Sequence, residues 1–380
     1  MQKTFIYHCI LLPLIVFTCY SKGITQNKTI SKLKFLSERD IPYNQSFKNT
    51  IIGGLSGIDY DKKNNLYYLI SDDRSAINPA RFYTAQIFIH KNSIDSIVFI
   101  DVQNMLQNNG TVYPNSKQNP FHTPDPEDIR LNNANNTLYW TSEGERIVNK
   151  KDTILENPAI TIISKQGKYL DTFPLPHNLL MQATENGPRQ NGVLEGLTFS
   201  TNYKTLWINV EEPLYEDGPR ANIQPNNAFI RLYKFDVKTK KNIAQYAYLL
   251  DPVAHAAIPE NAFKINGIPD ILFINNHQLL VIERSFSTGI AACTIKIYMA
   301  NLSNATNIID HKSLKKDTHF TAATKKLLLN MDDLKMYIDN IEGVTFGPTL
   351  PNGHNTLLFI ADNNFNPLEK TQLLLFEVIP

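Results

Sequence analysis

From about residue 28 onward, short apolar runs alternate with polar positions and are separated by turns rich in Asn, Lys and Gly. The runs are too short for helices and have the two-residue period of strands. Five of them open alike: "GLSGIDYDKKNNLYYLISDD" from Gly54, "PEDIRLNNANNTLYWTSEGE" from Pro126, "LEGLTFSTNYKTLWINVEE" from Leu194, "IPDILFINNHQLLVIERS" from Ile268 and "IEGVTFGPTLPNGHNTLLFIADN" from Ile341. The starts are roughly 70 residues apart, a period that marks a repeat architecture. Each copy reads as a strand, a polar turn and a second strand ending on acidic or polar residues.

A second strand pair follows each opening, for example "RFYTAQIFIH" with "SIVFIDV" and "AFIRLYKFDV" with "NIAQYAYLL". Four antiparallel strands per unit predict an all-β fold, a β-propeller of five blades counted directly, with a sixth only if one is hidden in the insertions. The fifth unit has one strand too few. "ISKLKFLSE", near the start of the domain, is expected to supply it and close the ring, which removes an exposed sheet edge. The long Asn-, Pro- and Gln-rich insertions, such as 103–125, 213–227 and 303–324, read as loops of a single domain over 28–380.

In an antiparallel pair the start of the first strand and the end of the second lie at one end. Because innermost strands line a propeller's channel, these positions should gather around one mouth. Strand starts supply Ser56, Glu127 with Asp128, Glu195, Asp270 and Glu342. Second-strand ends supply Asp72 with Asp73, Glu143 with Glu145, Glu211 with Glu212, Glu283 with Arg284, and Asp362 with Asn363. A ring of carboxylates results, and its mutual repulsion calls for cations. Oxygen-rich surroundings suit Ca²⁺ better than zinc. Arg74, Arg81, Arg130, Arg146, Arg189, Arg220 and Arg284 lie at or near the same ends and suit a phosphate or carboxylate. The same acidic residues could instead clamp one blade to the next through backbone amides, with the glycine of "EG" serving close packing.

Hydrophobic residues at 42% and charged residues at 19% are ordinary for a folded chain, and a net charge of +1 gives no overall pull toward nucleic acid. The first residues, "MQKTFIYHCILLPLIVFTCYSKG", have a lysine, an apolar run and then small or polar residues. This is the anatomy of a signal peptide over 1–23, which predicts export to the periplasm or the exterior; a lipid anchor through Cys19 is the weaker alternative. No later run is long enough to span a bilayer. Cys293 is then left alone and reads as a small buried residue.

No HExxH, CxxC, Walker or dinucleotide pattern occurs. Ser56 lacks the spacing of a nucleophile elbow and opens a strand. Trp140, Trp207, Tyr67, Tyr139 and Phe359 recur in the second strands, where alternation makes them core fillers.

The motifs "SDDRS" with "ARFYT", "NGVLEGLTFS", "EEPLYEDGP", "LLVIERS", "NIEGVTFGPTL" and "LFIADNNFN" occur in an order and spacing that resemble the exported phytase-like proteins described by "esterase-like activity of phytase". The resemblance runs from Gly54 to Val378. It implies a propeller, export and a phosphatase or esterase label, and its likeness to propeller phytases implies bound Ca²⁺. Carried onto this chain, Glu195, Glu211, Glu342 and Asp362 would hold metal, with Glu127, Glu143 and Glu283 as further ligands, and Arg74, Arg81 and Arg284 would hold the anion. The fourth unit departs from the pattern, with Pro269 where the third and fifth have glutamate.

Two functions follow as expectations. One is a Ca²⁺-dependent hydrolase of a small anionic or ester substrate, with Glu195 and Glu342 at the reacting centre. The other is a non-catalytic exported propeller that binds a ligand or protein through its long loops.

Overall fold

The computed structural model describes Met1 and residues 30–380. The expected leader, its cleavage position and Cys19 lie outside the described residues. Among those residues the regular structure is all strand except for two short 3₁₀ turns. Five sheets form the blades of a propeller, with the strand order expected from the repeats. Blade 1 comprises Gly57–Asp61, Leu66–Ser71, Arg81–His90 and Ser93–Asn104. Blade 2 comprises Pro126–Asn132, Thr137–Ser142, Ala159–Ile163 and Tyr169–Thr172. Blade 3 comprises Leu194–Phe199, Thr205–Val210, Phe229–Asp236 and Asn242–Leu249.

Blade 4 differs. Its innermost strand is broken into Lys264–Gly267 and Ile271–Asn275, and both pieces pair with Gln278–Ser287. The break falls at Ile268-Pro269-Asp270, where proline cannot donate to a sheet ladder. Thr294–Asn301 and Thr324–Asn330 complete the blade.

Blade 5 comprises Asn340–Phe346, Thr356–Asp362 and Thr371–Ile379, and Lys32–Ile41 supplies the outer strand. This strand runs antiparallel to the last one, from Lys32 opposite Ile379 to Ile41 opposite Thr371, and closes the ring as the sequence predicts. Phe35 packs edge-on against Phe376 at 5.5 Å.

The core lies between blades. Trp140, Trp207, Tyr67, Tyr139 and Phe359 are all buried, so the recurrent aromatics fill space between sheets. Toward the channel, where sheets converge, side chains must shrink. A Cβ on Gly196 would come within 2.6 Å of the Asp270 backbone, and one on Gly343 within 2.6 Å of the Ser56 carbonyl. The glycine of each "EG" pair therefore serves close approach of the neighbouring blade.

Inside the channel, polar side chains of the innermost strands hold the ring together. Asp59 accepts from the Leu131 amide at 2.7 Å, Asp128 from Leu197 at 3.0 Å, Thr198 from Phe273 at 3.0 Å, and Asp270 from Val344 at 2.7 Å. Thr345 donates back to Asp59 at 3.2 Å, so the sequence of contacts passes once through every blade. Strand-start acids at this level are inter-blade clamps.

Candidate active site at the carboxylate mouth

Above the clamps a second tier of acids faces a cavity of about 360 Å³. Three of its glutamates owe their direction to one local device. The innermost strand of blade 2 carries an extra residue between Pro126 and Ile129, that of blade 3 between Leu194 and Leu197, and that of blade 5 between Ile341 and Gly343. A bulge of this kind re-aims a side chain. Glu127, Glu195 and Glu342 sit in these three bulges and line the cavity. Neighbouring blades pin two of the bulges: Ser56 donates to the Glu127 carbonyl at 2.5 Å, and Thr141 to the Glu195 carbonyl at 2.6 Å.

Second-strand ends add Asp72, Glu143 and Glu211, and the loop before blade 2 adds Asp125. Asp125 escaped the sequence reading because it precedes the strand; the acidic run "DPED" was its only signal. Two sets of three carboxylates, Asp72 with Asp125 and Glu127, and Glu127 with Glu143 and Glu195, each place ligand oxygens within 4.8 Å of one another. Glu127 belongs to both.

Burial and mutual repulsion govern the charge state of these groups. Burial first, then neighbouring carboxylates, push Asp72, Glu127 and Glu195 well above the usual range. Glu143 is raised to about 8 by burial and by Asp125 and Glu211. Burial also raises Asp125 and Glu342, but Arg74 and Arg284 respectively hold each to about 6. Arg284 is the one cationic side chain lining the cavity among the described residues. Its Nη2 lies 2.5 Å from Glu211 and 3.8 Å from Glu342.

Other expected site residues fall elsewhere. Arg81 is fully buried and donates to Asp73 at 2.7 Å, to the Tyr83 hydroxyl at 2.7 Å and to the Ile51 carbonyl at 2.8 Å. Asp73 in turn accepts the amides of Ala76, Ile77 and Asn78, so the pair braces the "SDDRS" loop and Arg81 holds no substrate. Glu283 is also withdrawn from the mouth. The strand does not end there but continues to Ser287, and Glu283 bonds Tyr248 at 2.8 Å, Asn266 at 2.8 Å and Lys325 at 2.5 Å. Asp362 is buried and accepts from the Asn364 amide at 2.9 Å without lining the cavity. Arg74 stands at the rim, 2.9 Å from Glu145 and 3.5 Å from Asp125. Arg130 plugs the channel below. Burial pushes the Cys293 thiol up to about 12, and the side chain forms part of the cavity wall.

The donor set fits a hard divalent cation. It is all oxygen, the carboxylates are crowded and, apart from half-buried Asp72 and Glu342, buried, and the adjacent arginines are too few to neutralise them. Glu127 is the carboxylate shared by both groups.

Fold and site together define a five-bladed propeller with a carboxylate-lined mouth. The chain belongs to the phytase-like family described by "esterase-like activity of phytase", whose sequence profile matches residues 50–365. No curated protein matches the sequence. Among solved structures it is similar to a periplasmic gluconolactonase of Pseudomonas aeruginosa, with TM-score 0.38 and 8% identity over 92% of this chain and 97% of that one. An α-L-arabinofuranosidase from Lactobacillus brevis gives TM-score 0.42 and 9% identity over 88% and 94%. A protein of unknown function from Dyadobacter fermentans gives TM-score 0.39 and 12% identity over 92% and 100%. Likenesses this distant say nothing about what this chain acts on. No helix among the described residues is long and apolar enough to cross a membrane.

Proposed function

We propose that the protein is a metal-dependent hydrolase of phosphate esters or other esters, acting at the carboxylate mouth. The observation that carries this reading is the pair of overlapping triads, Asp72–Asp125–Glu127 and Glu127–Glu143–Glu195, beside Arg284. These five carboxylates would hold Ca²⁺, which when bound supplies a Lewis acid for the ester oxygen and a more acidic water. Arg284 would orient the anionic or carbonyl oxygen of the substrate. Glu342 lines the cavity outside both triads and would take a proton from the attacking water. That water's oxygen would bond to the phosphorus or acyl carbon as the bond to the alcohol oxygen breaks, and Glu342 would return the proton it took to the departing alkoxide, which leaves as the alcohol. Glu195, expected from sequence at the reacting centre, falls in a triad and is assigned to the metal. Export fits this reading, and N-terminal sequencing of the secreted protein would check it.

The test is turnover by the purified protein of 4-nitrophenyl phosphate, bis(4-nitrophenyl) phosphate and 4-nitrophenyl acetate with Ca²⁺ and with a chelator. Activity on at least one ester that disappears on chelation is expected. Failure on all three with Ca²⁺ present would sink the proposal.

A further inference from the structure

The mouth has two unlike walls. Its carboxylates come from blades 1, 2, 3 and 5, whereas blade 4 contributes Arg284 and an apolar surface. This asymmetry follows from the broken inner strand. At Ile268-Pro269-Asp270 blade 4 has no bulged glutamate to aim upward, and Asp270 turns down to Arg130 instead. The lining on that side comes from Phe263 and Ile265 before the break, Phe286 near the end of the next strand, Ala292 and Cys293 in the loop that follows it, and Tyr337 from the segment leading into blade 5. Phe263 is 53% exposed and Tyr337 38%, although both are large apolar rings beside a polar cavity. The Phe263 and Phe286 rings stand 6.2 Å apart, tilted by 39°. Phe263 is thus exposed beside a half-buried Phe286 that packs on the core, and an apolar edge of this kind gains by being covered.

Charge narrows what can cover it. Besides the seven acids already placed, Asp339 and Glu369 line the same cavity. Arg284 is the one cationic side chain on a lining that carries nine carboxyl groups, so a ligand bearing several phosphates meets more like charge there than one bearing a single acidic group. A ligand with one acidic or acyl ester group and an apolar ring would satisfy both walls, placing the ester at Arg284 and the triads and the ring against Phe263 and Phe286.

Resting on the hydrolase reading above, we infer that the substrate is a singly esterified, apolar, ring-bearing alcohol rather than a polyphosphorylated polyol, and that Phe263 and Phe286 determine this specificity. The covered ring area accounts for roughly a tenfold preference. The test compares kcat/KM, with Ca²⁺ present, for 1-naphthyl phosphate and 1-naphthyl acetate against glycerol 2-phosphate, methyl acetate and inositol hexakisphosphate. The naphthyl esters should be preferred by about tenfold within each ester type, and Phe263→Ala should remove most of that preference through KM. Because Phe263 is exposed, its substitution leaves the core intact. Preference for inositol hexakisphosphate or glycerol 2-phosphate, or an unchanged preference in Phe263→Ala, overturns the inference. A binding arm separates it from the hydrolase reading. Calorimetry of the Ca²⁺-loaded protein should find 1-naphthylphosphonate bound tighter than methylphosphonate, and this difference should shrink in Phe263→Ala even if no ester is turned over. Equal affinity, or binding of neither, overturns it.

Discussion

Arg130 and Asp270 stand 140 residues apart in sequence and join blades 2 and 4 across the channel, with Nη2 of the arginine 2.9 and 2.7 Å from the two carboxylate oxygens. The same guanidinium donates to the Leu197 carbonyl of blade 3 at 2.7 Å, to the Val344 carbonyl of blade 5 at 3.1 Å, and to the Ile58 carbonyl of blade 1. One side chain therefore touches every blade, and Asp128 lies 3.0 Å from it on its own strand. This cation compensates the clamp tier, which leaves the acids of the mouth without an equivalent partner.

Replacing Arg130 with methionine would leave Asp128 and Asp270 buried, and Asp59 half-buried, without a cation. We expect a loss of about 3–5 kcal/mol in urea unfolding, the usual consequence of orphaning a buried charge. Arg130→Lys should recover only part of this, because a single ammonium cannot reproduce a fork that reaches several blades. A methionine variant within about 1 kcal/mol of the parent would contradict the hub role.

The mouth predicts the opposite kind of pH dependence from an ordinary acid-denatured protein. Glu143 is raised to about 8, and Asp125 and Glu342 to about 6, by burial and like charge. The chelated folded protein therefore binds more protons than the unfolded chain between their ordinary values and these raised ones. Where the folded state holds the extra protons, stability falls as pH rises. The melting temperature in EDTA should decline from pH 5 through pH 8, and go on declining until Glu143 and its raised neighbours have lost their protons. Saturating Ca²⁺ should raise it by about 5–10 °C at pH 8 and by less at pH 5. A flat or rising profile in EDTA would count against an uncompensated cluster, and Glu143→Gln should reduce the slope.

Much of this was legible because the repeat carries its own punctuation. Each copy's alternating strands and Asn-rich turn gave the blades, and the missing strand in the fifth copy pointed to closure near the N-terminus. The division of the acids into two tiers was not legible. Glu127 and Asp128 are adjacent and chemically alike, yet the bulge sends one up to the mouth and the other down to Arg130. A bulge is a property of pairing between strands, so no linear spacing announces it. Glu283 failed for a related reason: the strand holding it runs four residues past the expected end, which puts it mid-strand opposite Lys296. Arg81 resembled an anion ligand by type and place, but Asp73 eight residues earlier had already claimed it.

Ring closure can be tested apart from the site. Without residues 30–41, the strand Thr371–Ile379, "TQLLLFEVI", would present a nine-residue apolar edge. Edges of that length and composition recruit other chains. A protein beginning at Pro42 should elute from size exclusion as oligomers or aggregate, and a synthetic peptide of residues 30–41 should return part of it to the parent position. A truncated protein that remains monomeric with an unchanged melting temperature would show that the strand is dispensable.

Catalytic ring and structural clamp make opposite predictions for one substitution. If Glu195 and Glu342 hold blades together, neutral glutamine weakens the fold; if they are crowded charges kept for a metal and a reaction, glutamine relieves repulsion. Burial and like charge raise both carboxyls, and Arg284 is the one cation lining their cavity among the described residues, so the second case is favoured. Glu195→Gln should leave the chelated protein as stable as the parent or more so, by up to about 1–2 kcal/mol, and should shrink the Ca²⁺-dependent rise in melting temperature. Glu342→Gln should keep most of that rise, because Glu342 lies outside both triads, yet lower kcat by about 100-fold or more through loss of the proton acceptor. Thermal melts with EDTA and with Ca²⁺, run beside ester turnover, measure all of these quantities. Destabilisation of both variants in EDTA, with activity falling only in proportion to the folded fraction, would return the upper tier to the same clamping role as Asp128 and Asp270.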